Sequence, residues 1–113
     1  MHTLINHVNL IGNIGQEPQV TTLESGSKVV RFSLATNENY RDSDGNKQEE
    51  TNWHTIVAWN GVGEIIEKYA TKGSKVGIVG KLRTRSYETE DGNQRYVTEV
   101  RANEVLLLDG KKN

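Results

Sequence analysis

The chain has 113 residues, a net charge of −1 from 14 basic and 15 acidic side chains, and no cysteine. That length makes one domain, the missing cysteine excludes disulfide and thiolate chemistry, and the charge balance argues against a histone-like polycation or an acidic disordered tail. Apolar residues, tyrosine included, are 34% of the chain, enough for a modest core that leans on ladder hydrogen bonds or a partner subunit.

The first strand is expected at Val8, Leu10 and Gly12, which follow period two. It breaks at Gly12-Asn13-Ile14-Gly15 and Pro18, and Gln19 to Leu23 continues it. After a Ser25-Gly26 turn, Lys28 to Thr36 forms strand two, with Val30, Phe32 and Leu34 on one face. Asn37 to Glu50 is polar, with a hairpin-tip signal at Asp44-Gly45. Thr51 to Trp59 forms strand three. Asn60-Gly61-Val62-Gly63 breaks it. Glu64 to Ala70 carries Ile65, Ile66 and Tyr69 at helical spacing, with Glu early and Lys68 late, as the helix dipole favours. Lys72-Gly73 closes this helix. Lys75 to Tyr87 is strand four. Asp91-Gly92 lies in a loop, and Arg95 to Leu108 is the last strand. Gly77 and Gly80 inside strand four mark a bulge or barrel corner. Five strands with a helix between the third and fourth is the layout of an OB-fold, a small Greek-key barrel. A plain sandwich is the alternative.

No catalytic constellation is visible. His2, His7 and His54 are scattered. Asp42, Asp44, Glu49 and Glu50 read as a solvated hairpin tip and fit no calcium loop. Gly61-Val62-Gly63 has Ile66 where the dinucleotide motif needs a third glycine. The chain is therefore expected to be no enzyme and to hold no metal or cofactor. No apolar run approaches the ~18 residues of a transmembrane helix, and the first residues lack a signal-peptide pattern. A cytoplasmic protein without membrane contact is expected.

The informative signal is a face. Six basic residues and no acid lie between Lys68 and Tyr87, while the rest of the chain has eight basic and fifteen acidic residues. Strand parity puts Lys81, Arg83, Arg85 and Tyr87 on one face, and Val76, Ile78, Leu82 and Thr84 on the other as core. Trp53, Thr55, Val57 and Trp59 likewise share a face, opposite His54, Ile56 and Ala58. The two tryptophans stand about 20 Å apart along the strand. Charged rows with aromatics suit a phosphate chain with stacked bases, although a core role for both tryptophans stays open on the sequence. Tyr40 joins this set beside Arg41, whereas Tyr69 and Tyr96 suit core-edge positions.

Several stretches then converge on a known family. They are Asn9-Leu10-Ile11-Gly12-Asn13-Ile14-Gly15-Gln16-Glu17-Pro18, Ser33-Leu34-Ala35-Thr36, Thr51-Asn52-Trp53-His54, Lys72-Gly73-Ser74, Gly80 to Tyr87, and Arg95-Tyr96-Val97-Thr98-Glu99-Val100. In this order, over nearly the whole chain, they resemble bacterial single-stranded DNA-binding proteins. The resemblance implies an OB-fold at residues 1–108, with 109–113 as a short extension. It implies sequence-nonspecific coating of single strands in replication, recombination and repair. Its stacking aromatics fall on Tyr40, Trp53, Trp59 and Tyr87, two of them Tyr where many members have Trp. Lys72, Lys81, Arg83 and Arg85 are the expected phosphate contacts.

The family usually forms homotetramers from dimers that pair their first strands. This implies an assembly surface at Leu4, Asn6, Val8, Leu10 and His54, with a dimer as the lesser assembly. Many members continue into a flexible linker and an acidic tip that recruits other proteins. This sequence stops at Leu108-Asp109-Gly110-Lys111-Lys112-Asn113, so strand binding is expected without tail-mediated recruitment. Alternatives in the same fold are an RNA binder and a primosome-type protein-interaction module.

Overall fold

Val30, Phe32 and Leu34 are buried along one side of a strand, and Ile56 and Ala58 along one side of the next. Such half-apolar strands can bury their faces only by curling around a shared interior. In the computed structural model, which describes residues 4–109, they do so as β1 (Val8–Ile14), β2 (Gln19–Thr22), β3 (Lys28–Arg41), β4 (Lys47–Trp59), α1 (Asn60–Tyr69), β5 (Lys75–Glu88) and β6 (Gln94–Leu107). Most of the extension expected at 109–113 falls outside the described residues. Among the described residues no helix is long and apolar enough to cross a membrane.

The sheet order is β1-β5-β6-β4-β3-β2, and β1 also pairs with β3. That last pairing closes a barrel, which rules out the open sandwich. β1 meets β3 at Asn13 and Ile14, and β2 takes over along Lys28 to Arg31. The two segments are one strand interrupted around Pro18, so the barrel has the expected five strands of an OB-fold. Every ladder is antiparallel except β4 with β6, which runs parallel through Ile56 to Ala58 against Val100 to Ala102.

The interior holds Ile14, Val30, Phe32, Leu34, Ile56, Val76, Ile78 and Val100, with Ile66 and Ala70 from the helical segment closing one end. α1 begins four residues before the expected start. Asn60-Gly61-Val62-Gly63 is its first turn rather than a break. Asn60 takes φ 46°, and its side-chain oxygen accepts a hydrogen bond from the Lys28 N–H at 3.0 Å. Glu64 consequently lies beyond the first turn, which holds no acid, while Lys68 remains in the last. Ile66 packs inward, but Ile65 and Tyr69 are exposed. The turn glycines Gly26, Gly45, Gly73 and Gly92 all adopt positive φ, which costs glycine no Cβ clash.

One hairpin outruns its expected strands. β3 and β4 stay paired out to Arg41 opposite Lys47, through the segment that reads as a polar loop. The Asp42 carboxylate organises the tip. Its Oδ1 accepts from the Asp44 and Asn46 N–H groups, each at 2.9 Å, and its Oδ2 from Gln48 at 3.1 Å. Those bonds, led by the one from Asn46, hold its pKa below the ordinary value. β5 and β6 run to Glu88 opposite Gln94, within one residue of the expected ends. Here the expected core assignment fails: Leu82 and Thr84 are exposed. β1 accompanies β5 only from Lys75 to Gly80, so past Gly80 the β5 side chains lose the strand that would cover them. Tyr96, opposite Ser86, is 70% exposed for the same reason and is no core-edge residue.

Gly80 does sit at an irregularity. Val79 opposes Glu104 while Gly80 opposes Ala102, which leaves Asn103 as the extra residue. A Cβ on Gly80 would overlap the Arg101 carbonyl, and one on Gly12 the Ala35 carbonyl. Both obstacles are backbone atoms of a closed sheet. Gly12→Ala and Gly80→Ala are each expected to cost about 1–3 kcal/mol, read as a lowered thermal midpoint. An unchanged midpoint would show that the seams relax freely.

Candidate nucleic-acid interface

Residues that alternate with the core on β3, β4, β6 and β5 share the barrel's outer surface. The registers join Arg31 to Val57, Val57 to Arg101, Arg101 to Lys81, and Glu99 to Arg83. Arg31, Val57, Trp59, Arg83, Arg85, Glu99 and Arg101 line a cavity of about 310 Å³ on this surface. Trp59 forms one wall, with the Arg101 guanidinium 5.3 Å from its ring centre, within cation–π range.

Trp53 lies on the same face of β4 and is 63% exposed. It is no core residue. Its ring packs over Gly15, where a Cβ would overlap it, so the bare backbone gives the indole a flat seat. Tyr87 continues the β5 row, with the Arg85 guanidinium 6.0 Å from its ring centre. Lys81 shares the row but does not line the cavity. Lys72 stands apart on the turn after α1, where its N–H donates to the Glu17 carboxylate at 2.9 Å. Tyr40 is exposed near the end of the β3–β4 hairpin. Its partner Gln48 is of opposite parity to Trp53, which pairs with Ala35. Tyr40 therefore stands on the alternate face of that hairpin.

Arg31, Arg101 and Glu99 were not singled out from the sequence. The signal was available for the arginines: each alternates with core residues, Arg31 between Val30 and Phe32, Arg101 between Val100 and Ala102. Glu99 carried no such signal, because a buried carboxylate is explained only by its partners. Its Oε2 accepts from Arg31 Nη1 at 2.6 Å, and its Oε1 from Arg85 Nε at 3.1 Å. A third bond runs from Arg85 Nη2 to Oε2 at 3.4 Å. The triad reaches across β3, β4, β6 and β5 and lies over the buried Val57.

The expected assembly residues divide. Leu4 is exposed. Asn6 is engaged within its own chain, donating to the Leu82 carbonyl at 2.9 Å and accepting from the Leu82 N–H at 2.8 Å. Val8 and Leu10 are half-buried against the core and are not an exposed apolar row. The exposed apolar side chain of β1 is Ile11, beside Gly77, with Leu106 and Leu108 completing the patch. His54 Nε2 lies 3.0 Å from the Thr36 hydroxyl, in a groove with Asn9, Leu10 and Ile11.

Residues 5–108 match the Single-strand binding protein family. The chain belongs to this family. It is 40% identical over 109 residues to "Single-stranded DNA-binding protein 1" of Xylella fastidiosa, covering 96% of this chain and 79% of that one. It is 43% identical to the protein of the same title from Chlorobaculum tepidum, covering 95% and 67%. The fold superposes on a Plasmodium falciparum SSB solved in complex with ssDNA, with a TM-score of 0.82 and 38% identity over 92% of this chain and 95% of that one.

Burial pushes the Glu99 carboxyl up, but the hydrogen bonds from Arg85 and Arg31 outweigh it and hold the pKa below its ordinary 4.5. A carboxyl depressed by folding stabilises the protein fully above its unfolded pKa and loses that contribution as pH falls through the folded value. Thermal midpoints are therefore expected to drop below pH 4.5, and the drop to shrink in Glu99→Gln. An identical acid profile in the variant would remove Glu99 from the acid response.

Proposed function

We propose that the outer face of β3, β4, β6 and β5 binds single-stranded DNA without reading its sequence, and that the protein coats exposed strands in replication, recombination and repair. The observation that carries this reading is the arginine-lined cavity with Trp59 as its wall and Trp53 exposed on the same strand face. Indole faces accept any base, because every base has a π-face. Guanidinium groups grip phosphates whatever base they carry. Trp53, Trp59 and Tyr87 supply the stacking surfaces. Lys81, Arg83, Arg85, Arg31 and Arg101 supply phosphate contacts. Tyr40 and Lys72 stand apart from the cavity and serve a strand that continues around the barrel.

We further propose that copies assemble, up to a homotetramer. β1 bonds β5 along Val8 to Asn13 but meets β3 only at Asn13 and Ile14. Among the described residues its remaining edge is open, and an open edge is a template for another strand. Ile11 and Leu106, each 61% exposed, form an apolar patch beside it that contact with a second copy would cover.

Titration with oligo-thymidine is expected to quench tryptophan fluorescence, with log K falling against log salt by about 0.7 per phosphate neutralised. Trp53→Ala and Trp59→Ala should each weaken binding by about 1–3 kcal/mol with the melting curve preserved. No quenching at low salt sinks the reading, and stronger competition by an RNA oligomer would move it to RNA. Light scattering is expected to give a multiple of the 12.7 kDa chain mass, reduced by Ile11→Glu. A monomer at micromolar concentration would refute assembly.

A further inference from the structure

Glu99 lies inside the strand-binding cavity, not behind it. Among the described residues it is the one acid lining that cavity, beside Arg31, Arg83, Arg85 and Arg101. Its side chain is 8% exposed, whereas those of Arg31 and Arg85 are 40% and 44% exposed. The carboxylate is therefore fixed at the floor while the guanidinium groups reach solvent. A carboxylate and a phosphate make the same kind of charge-assisted bond to a guanidinium. They compete for the same donors.

We propose that Glu99 is a resident counter-anion of the groove. It withholds part of the positive charge of Arg31 and Arg85 from an incoming strand, and so sets how tightly and how salt-sensitively that strand is held. The inference rests on the reading of this face as the strand-binding surface.

The donor inventory supports sharing rather than surrender. A guanidinium has five N–H groups. Arg31 spends one on Glu99 and Arg85 spends two, so both keep donors for phosphate. A buried carboxylate cannot release both partners, because an unpaired buried charge is heavily penalised. The bound strand must instead divide the guanidinium groups with Glu99 and accept repulsion from its charge. Each phosphate contact is weakened, and the strand can be exchanged. A clamp needed only for stability would not have to place its anion where a polyanion binds.

The test is a double-mutant cycle of wild type, Glu99→Gln, Arg85→Ala and the double variant, each titrated with oligo-thymidine through a salt series alongside thermal melts. Glutamine keeps the shape and removes the charge. Glu99→Gln is expected to bind about tenfold tighter at low salt, with a salt slope steeper by about 0.7 for each guanidinium released. Arg85→Ala should then cost more affinity in the Glu99→Gln background than in wild type. Equal or weaker binding by a folded Glu99→Gln overturns the proposal, as does an Arg85→Ala cost that is the same in both backgrounds. If Glu99→Gln fails to fold, Glu99→Asp shortens the carboxylate's reach. It is expected to bind tighter by a smaller factor, and equal or weaker binding overturns the proposal. Failure of wild type to bind at all would instead overturn the strand-binding reading, and it registers before any variant is compared.

Discussion

Three parallel residue pairs join the two halves of this barrel. Ile56, Val57 and Ala58 meet Val100, Arg101 and Ala102, and on this short ladder the long β3–β4 and β5–β6 hairpins are held side by side. Every outward group of interest depends on that seam. It puts Arg31 of one hairpin within 2.6 Å of Glu99 on the other, although β4 lies between their strands. It also sets Arg101 against Trp59. The ion triad over Val57 reinforces the seam from outside, while Ile56, Ala58, Val100 and Ala102 fill the inside. Exposed ion pairs contribute little, but here the carboxylate is buried and both partners are fixed on rigid strands.

Much of the barrel was legible in the sequence because its core strands keep strict period two. Val30-Phe32-Leu34 and Ile56-Ala58 declare their inner faces, and the glycine turns declare the ends. Those signals also put Trp53 and Trp59 on one shared face opposite Ile56 and Ala58, and the fold makes that face the outer one. Legibility stopped where strands leave the barrel. From Asn37 to Glu50 both faces meet water, so no alternation of polarity marks the ladder. Its hydrogen bonds form regardless, helped by pairs such as Thr51 with Asn37. Leu82 gave the opposite error, an apolar residue in phase with the core but beyond the last β5 residue that β1 covers. The helix start was hidden by two glycines, which disfavour helix in isolation. There Gly63 is required by close packing against the Ala58 carbonyl.

The site was read in part for a related reason. Periodicity finds rows along one strand, such as Lys81-Arg83-Arg85-Tyr87, but the cavity is built across four strands. Arg31, Glu99 and Arg101 are far apart in the chain and become neighbours only through the sheet order. The charge pattern changes accordingly. The acid-free stretch from Lys68 to Tyr87 meets an acid in space, Glu99, that it lacks in sequence. Meanwhile Arg31 and Arg101, from the acidic remainder of the chain, add to the basic surface.

The two overhanging hairpins divide labour between folding and recognition. Past Gly80 on β5, Val100 on β6 and Thr36 on β3 the hairpins carry no core side chains, so the length of their ends is not fixed by the packing of the barrel. If the proposed strand-binding face extends onto them, lengthening or trimming them by whole residue pairs would alter how far that face reaches while leaving the interior as it is. The reach of the protein along nucleic acid is in this sense an adjustable appendage, and the barrel its constant mount.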